Sequence, residues 1–79
     1  MNNENIFGRL QEIFRDIFDN NELIISNKTS SEDIESWDSL NHILLLNVVE
    51  KEFNIKINLA EMQDTNDVSS IVNLIINKI

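Results

Sequence analysis

The scarcity of glycine and proline most restricts the fold of this chain, which has one glycine and no proline in 79 residues. Short strands joined by tight turns depend on these two residues, because glycine adopts positive φ and proline fixes a turn backbone. A chain almost without them favours helices over a small sheet. The absence of cysteine also excludes a disulfide framework, a thiol nucleophile and a cysteine-based metal site.

Apolar periodicity and capping residues predict the first two helices. The first runs from about Glu4 to Phe18. Its apolar residues recur at helical spacing: Ile6, Leu10, Ile13, Phe14, Ile17 and Phe18. Asp38 is a good N-cap residue, so Ser39 begins a second helix of about a dozen residues. A long polar connection separates the two helices, and its expected anchors are Leu23, Ile24, Ile25, Ile34 and Trp37.

The remaining chain predicts an extended connector and two further helices. Phe53, Ile55 and Ile57 alternate like a strand, but a single short strand has no pairing partner, so we expect buried side chains on a connector. Asn58 and Glu61 have capping-box spacing and predict a short helix through about Met62 or Gln63. Asn66 or Asp67 caps the last helix, whose shared apolar face contains Val68, Ile71, Val72, Ile75 and Ile79.

These elements predict an all-α fold. The expected architecture is a small four-helix bundle with a long first loop and a short third helix, in which residues 1–79 form a single domain. No apolar stretch reaches the length of a membrane span, and the amino-terminal residues lack the pattern of a signal peptide. We therefore expect a cytoplasmic protein, and we expect it to be a monomer.

The charge of the chain restricts its partners. Fourteen acidic residues against six basic ones give a net charge of −8, which argues against nucleic acid and favours partners with basic surfaces. Four of the acidic residues cluster just before the second helix: Glu32, Asp33, Glu35 and Asp38. The cluster would steer an electropositive enzyme towards Ser39. It lacks the residue pattern of a calcium loop, so we expect no metal site.

The segment Trp37-Asp38-Ser39-Leu40 places a hydroxyl at the first position of an apolar helix. The first turn of a helix carries unpaired N–H groups and the positive end of the helix dipole, so a phosphate ester on Ser39 would be stabilised there. The residues by themselves leave a second interpretation open, in which Asp38 and Ser39 are simply a helix cap.

A longer pattern resembles the acyl carrier proteins over essentially the whole chain: Asp38-Ser39-Leu40, a helix, and then Glu50-x-x-Phe53-x-Ile55-x-Ile57. In that family the serine of Asp-Ser-Leu carries a 4′-phosphopantetheine arm. The resemblance therefore implies Ser39 as the attachment point, flanked by Asp38 and Leu40. It implies a carrier without enzyme activity. A phosphopantetheinyl transferase would attach the arm from coenzyme A, and acyl-loading, condensing or acyl-transferring enzymes would use the thioesters.

The resemblance also implies two roles for the second helix. The helix would border an acyl pocket lined by Ile43, Leu46, Val49, Phe53, Ile57, Met62 and Val68. It would also form the docking surface for partner enzymes, with Leu40, Asn41, Leu44, Asn47, Glu50 and Lys51. Helical spacing predicts Ile43, Leu46, Val49 and Phe53 inward, and Asn41, Leu44, Asn47 and Lys51 outward. Asn41, Leu44 and Lys51 stand where fatty-acid carriers are often acidic or polar, which favours a specialised carrier over a housekeeping one.

Three alternatives differ in class. A peptidyl or aminoacyl carrier shares the arm and the bundle, but the chain lacks the Gly-Gly-His/Asp-Ser segment typical of those domains. An unmodified helical interaction module keeps only the fold. A hydrolase would use Ser39 with His42 as base and Asp38 as orienting group, yet adjacent Asp38 and Ser39 point in different directions and no Gly-x-Ser-x-Gly elbow is present. We expect His42 to be a solvent-exposed residue near the arm.

Overall fold

The computed structural model describes the backbone of residues 3–79 and the side chains of residues 4–79, so residues 1 and 2 of the predicted domain lie outside the described range. The helices are α1 (Asn3–Ile17), α2 (Ser39–Phe53), α3 (Leu59–Asp64) and α4 (Val68–Lys78). Within residues 3–79 the only extended pairing is an isolated antiparallel bridge between Ser30 and Asp67. The predicted all-α bundle, with a long first loop and a short third helix, is confirmed.

The core lies where α1 packs against α2 and α4, and α3 lies beside α2. Burial of apolar side chains in this space is the main force that holds the helices together. The fully buried residues are Ile6, Leu10, Phe14, Leu45, Leu46, Val49, Val68, Ile71 and Ile75. They confirm the predicted inner faces of α1 and α4, except that Ile79 is 53% exposed.

The predicted N-terminal capping residues begin α2, α3 and α4. Asp38 caps α2 and Asp67, rather than Asn66, caps α4. Asn58 and Glu61 form the predicted capping box at the start of α3. Helix α2 ends at Asn54, whose φ of 54° lies in the left-handed region that asparagine tolerates better than most residues.

The long connection between α1 and α2 is held to the core by both apolar and polar contacts. Ile25 and Trp37 are buried, and Leu23 and Ile34 are partly buried against the core. The prediction of Ile24 as an anchor is wrong, because its side chain is 78% exposed. The polar anchors come from α1: Gln11 bonds Leu23 O and Ile25 N, and Arg15 Nε donates to Leu23 O. The far end of the connection pairs with the segment before α4, through Ser31 N to Asn66 O at 3.0 Å.

The connector after α2 is extended and turns its apolar side chains inward, as predicted. Ile55 and Ile57 are buried on the connector, whereas Phe53, also buried, is the last residue of α2 and not part of the connector. The carboxylate of Glu50 supports this geometry, because its Oε2 accepts a hydrogen bond from Ile57 N at 2.9 Å. The connector therefore satisfies one of its backbone donors without a neighbouring strand.

Candidate functional site

Ser39 is exposed at the first position of α2. Asp38 accepts hydrogen bonds from two backbone N–H groups of the first turn. Its Oδ1 accepts from Asn41 N at 2.9 Å, and its carbonyl oxygen accepts from His42 N at 2.8 Å. Within the described residues, the N–H groups of Ser39 and Leu40 and the Ser39 hydroxyl have no hydrogen-bond partner. An accessible hydroxyl beside free N–H donors at a positive helix end fits a phosphate ester on Ser39.

A surface groove of about 540 Å³ opens beside Ser39. One wall is formed by the end of the long connection and the start of α2, and the other by α3 and the segment that follows it. The lining residues are Ser31, Trp37, Asp38, Ser39, His42, Ile43, Leu59, Met62, Gln63, Thr65 and Asn66. The groove gives a chain attached at Ser39 a partly apolar surface to lie against.

His42 links the two walls of the groove. Trp37 Nε1 donates to His42 Nδ1 at 2.9 Å, so the neutral ring carries its hydrogen on Nε2. His42 Nε2 lies 2.7 Å from the carbonyl oxygen of Met62 in α3, which it reaches as a donor. Thr65, a buried polar residue, lies 3.5 Å from the same nitrogen and donates to Glu61 O and Met62 O. The prediction of a solvent-exposed His42 is wrong, because the side chain is half-buried and both ring nitrogens are bonded.

These bonds also differ from those that a hydrolase triad would require. Both His42 nitrogens are committed to Trp37 and Met62, so neither is directed at the Ser39 hydroxyl. The Asp38 side chain accepts from Asn41 N as the helix cap and makes no hydrogen bond to the imidazole. A triad requires the base to bond both the nucleophile and the orienting carboxylate, and neither bond is present among the described residues.

The predicted docking residues on α2 differ in exposure. Leu40 is 76% exposed and Leu44 is 46% exposed, and both lie on the outer surface with exposed Asn47 and Lys51. Asn41 is half-buried, because its Nδ2 donates to Ser36 O at 2.8 Å. Glu50 is half-buried and uses its carboxylate on Ile57 N. The outer surface of α2 near Ser39 is therefore more apolar than acidic.

The predicted pocket residues fall into two groups. Ile43 and Met62 line the groove. Leu46, Val49, Phe53, Ile57 and Val68 lie in the core and do not line it. The inward direction predicted for Ile43 is wrong, because its side chain is 43% exposed and Leu45 is the residue that turns fully inward. Helix α2 is apolar on several sides, so helical spacing did not show which of Ile43 and Leu45 faces the core.

The carboxylates near the groove are either exposed to solvent or hydrogen-bonded within the protein. Asp33 Oδ2 accepts from Ser30 N at 2.9 Å within the loop. Hydrogen bonds from the Asn58 backbone and then from Lys78 lower the pKa of Glu61, and hydrogen bonds from Ser70 lower the pKa of Asp67. Across the described chain, no group of three or more histidine, aspartate or glutamate side chains is placed to hold a metal ion.

Of the second wall of the groove, the sequence predicted only Met62. Leu59, Gln63 and Thr65 line it, and Ser31 and Asn66 complete its edge. All of these residues except Ser31 lie twenty or more positions along the chain from Ser39, so no local spacing connects them with it. One local signal was present: the single tryptophan and the single histidine of the chain stand five residues apart, on either side of Ser39.

Comparison with known proteins gives two matches of the same kind. The family model described as "Phosphopantetheine attachment site" matches residues 8–75. Among solved structures, holo acyl carrier protein from Geobacter metallireducens is 35% identical to this chain, with a TM-score of 0.83. The alignment covers 91% of this chain and 83% of the Geobacter chain. A search of curated proteins gives no significant match.

Proposed function

The chain belongs to the acyl carrier protein family of phosphopantetheine-binding proteins, and from that premise we propose that it carries acyl intermediates as thioesters on an arm attached to Ser39. Its prosthetic group is 4′-phosphopantetheine. This family consists of carriers and not of catalysts. When bound, the group supplies a terminal thiol for thioester formation.

The observation that carries the assignment to Ser39 is its free, exposed hydroxyl on the first turn of α2. The unpaired N–H groups of Ser39 and Leu40 lie in the same helical turn as the Ser39 hydroxyl, and they favour the negative charge of an ester phosphate there. The side chain of Asp38 is held by Asn41 N, which keeps its carboxylate within the cap. Ser39 therefore accepts the phosphate group, while a separate phosphopantetheinyl transferase supplies the chemistry.

The surroundings of Ser39 support recognition by other enzymes. The exposed acidic residues Glu32 and Glu35 precede it, and they attract the basic surface of a transferase. Exposed Leu40, Leu44 and Leu59 lie close to the groove or on α2, and they offer apolar contact area. We assign these leucines to enzymes of a dedicated pathway, whose docking surfaces are more apolar than those served by a housekeeping carrier.

The test is modification of the apo protein with coenzyme A and a promiscuous phosphopantetheinyl transferase, followed by intact mass. The wild type is expected to gain one phosphopantetheine increment and Ser39→Ala none. Ser31→Ala is the matched control, because Ser31 also lines the groove and its variant should gain the full increment. An increment on Ser39→Ala, or none on the wild type, would overturn the assignment.

Acyl and aminoacyl carriers are distinguished by loading. The similarity to a holo acyl carrier protein favours acyl groups. The holo protein is incubated with ATP and either an acyl ligase with fatty acids or an adenylation enzyme with amino acids, and thioesters are measured by mass. Acylation only with amino acids would reassign the chain to the aminoacyl carriers.

A further inference from the structure

The bridge made by His42 lies at the inner side of the Ser39 groove. The imidazole lines the groove together with Trp37 and Met62, to which it is bonded. Behind it, Leu46 stands one helical turn further on the same face of α2, is fully buried, and does not line the groove. The Trp37 ring lies between His42 and the core, where it makes an edge contact with Phe14 at 5.2 Å between centroids. The bridge therefore separates the groove from the core.

Opening a passage between α2 and α3 at this point requires the bridge to break. Separation of the helices pulls Met62 O away from His42 Nε2, and rotation of the ring removes the acceptor of the Trp37 indole. Both changes leave a polar group of a buried or half-buried residue without its partner, which is costly. The closed arrangement is thus favoured over one in which the groove continues into the core.

We propose that His42 is a specificity-determining residue for cargo length: its bridge between Trp37 and the Met62 carbonyl confines the cargo to the outer groove and keeps long acyl chains out of the core. This inference rests on the proposed attachment at Ser39. Short acyl groups fit the groove of about 540 Å³ without any opening. A long acyl chain can be buried in the core only after the bridge opens. While the bridge is closed, the part of the chain that does not fit in the groove stays in solvent.

The test compares butanoyl and dodecanoyl groups, loaded on the apo protein from acyl-coenzyme A by a promiscuous transferase. Thermal midpoints are measured for each form. In the wild type the two acyl forms should melt together. In His42→Ala the dodecanoyl form should melt at least about 4 °C above the butanoyl form, because the chain enters the core and leaves water. A wild type that is stabilised by dodecanoyl as much as His42→Ala would overturn the proposal.

Two conservative variants separate this role from a purely structural one. The amide of His42→Gln reaches as far as Nε2 and can donate to Met62 O, although it loses the bond from Trp37. The Met62 bond is the one that joins α2 to α3, so the two acyl forms of this variant should melt at the same temperature, as in the wild type. The amide of His42→Asn replaces Nδ1 and keeps the bond from Trp37, but it loses the bond to Met62 O, which retains only the Thr65 hydroxyl as a donor among the described residues. The link between α2 and α3 is then absent, so this variant should behave like His42→Ala. The indole N–H resonance of the single tryptophan reports the Trp37 bond directly, and it should shift in His42→Gln more than in His42→Asn.

The His42→Gln and His42→Asn variants test the proposed role of His42 even if His42→Ala does not fold. Equal responses of the two to dodecanoyl loading would contradict the proposal. A wild type that accepts no acyl-phosphopantetheine increment shows instead that the carrier function itself is wrong. A wild type that accepts the increment but is stabilised by the longer chain shows that only the role of His42 is wrong.

Discussion

Trp37 Nε1 donates a hydrogen bond of 2.9 Å to His42 Nδ1, across the turn that contains Ser39. The bond joins the end of the long connection to the first turn of α2. The other ring nitrogen, Nε2, is bonded to Met62 O in α3. Three segments that surround Ser39 are therefore held together by one side chain.

The Trp37 and His42 side chains should be energetically coupled. Trp37→Phe keeps the aromatic contact with Phe14 but removes the donor, and His42→Ala removes the acceptor. Each single variant leaves a polar group unpaired, so we expect a coupling free energy of about 1 kcal/mol in a double-mutant cycle. The measurement is urea unfolding of the four proteins. Strict additivity of the two single effects would show that the bond contributes nothing.

The Asp38 cap should matter for stability, whereas Ser39 should matter for modification. Asp38→Ala removes the acceptor of Asn41 N and should lower the free energy of unfolding by about 1 kcal/mol. Asp38→Asn is the control, because asparagine caps helices equally well. Ser39→Ala should change stability by less than about 0.5 kcal/mol, since its hydroxyl makes no bond among the described residues. Chemical denaturation checks all three.

Neighbouring leucines of α2 should respond very differently to truncation. Leu45 is fully buried, so Leu45→Ala should cost about 2–5 kcal/mol through lost burial and a cavity. Leu44 is 46% exposed, and Leu44→Ala should change stability by less than about 0.5 kcal/mol. Thermal and urea unfolding of both variants test the orientation of the helix. Similar losses at the two positions would mean that α2 is rotated from the arrangement described.

Acid should destabilise the protein partly through Asp67. Hydrogen bonds from Ser70 lower the pKa of Asp67 in the folded state below the unfolded value of about 3.9. The resulting stabilisation is complete above the unfolded pKa and is lost as pH falls through the folded pKa. Asp67→Asn keeps a cap without a titrating group. Its free energy of unfolding should therefore fall less steeply than that of the wild type below about pH 4. Parallel pH curves for the two proteins would contradict this role.

Acidic substitutions on α2 should increase the affinity of the protein for fatty-acid biosynthetic enzymes. The variant Asn41→Asp, Leu44→Glu, Lys51→Glu restores acidic character, and we expect a fatty-acid condensing enzyme to bind it about tenfold more tightly than the wild type. The control changes net charge by the same amount at exposed positions elsewhere, with Asn27→Asp, Lys56→Glu and Asn73→Asp. Titration measures the affinities. Equal binding by the wild type and the α2 variant would indicate a housekeeping docking surface.

The helix positions, and the placement of Ser39 at the first position of α2, were predictable because their causes are local. Asp38, Asn58 and Asp67 accept hydrogen bonds from backbone groups three residues ahead. The sequence therefore located the starts of α2 and α3, and it placed the start of α4 after Asn66 or Asp67. The inner faces of α1 and α4 followed from the helical period. The accessibility of Ser39 at the start of α2 follows from the same local geometry.

The tertiary structure decided which side of α2 faces the core and what surrounds Ser39. The run from Ile43 to Leu46 is apolar throughout, so only contact with α1 and α3 determined that Leu45 is buried and Ile43 lines the groove. The bond from His42 to Met62 O joins residues twenty positions apart. Helical period and capping act within one or two turns, whereas burial and hydrogen bonding between helices depend on the packing of distant segments, which no local spacing specifies.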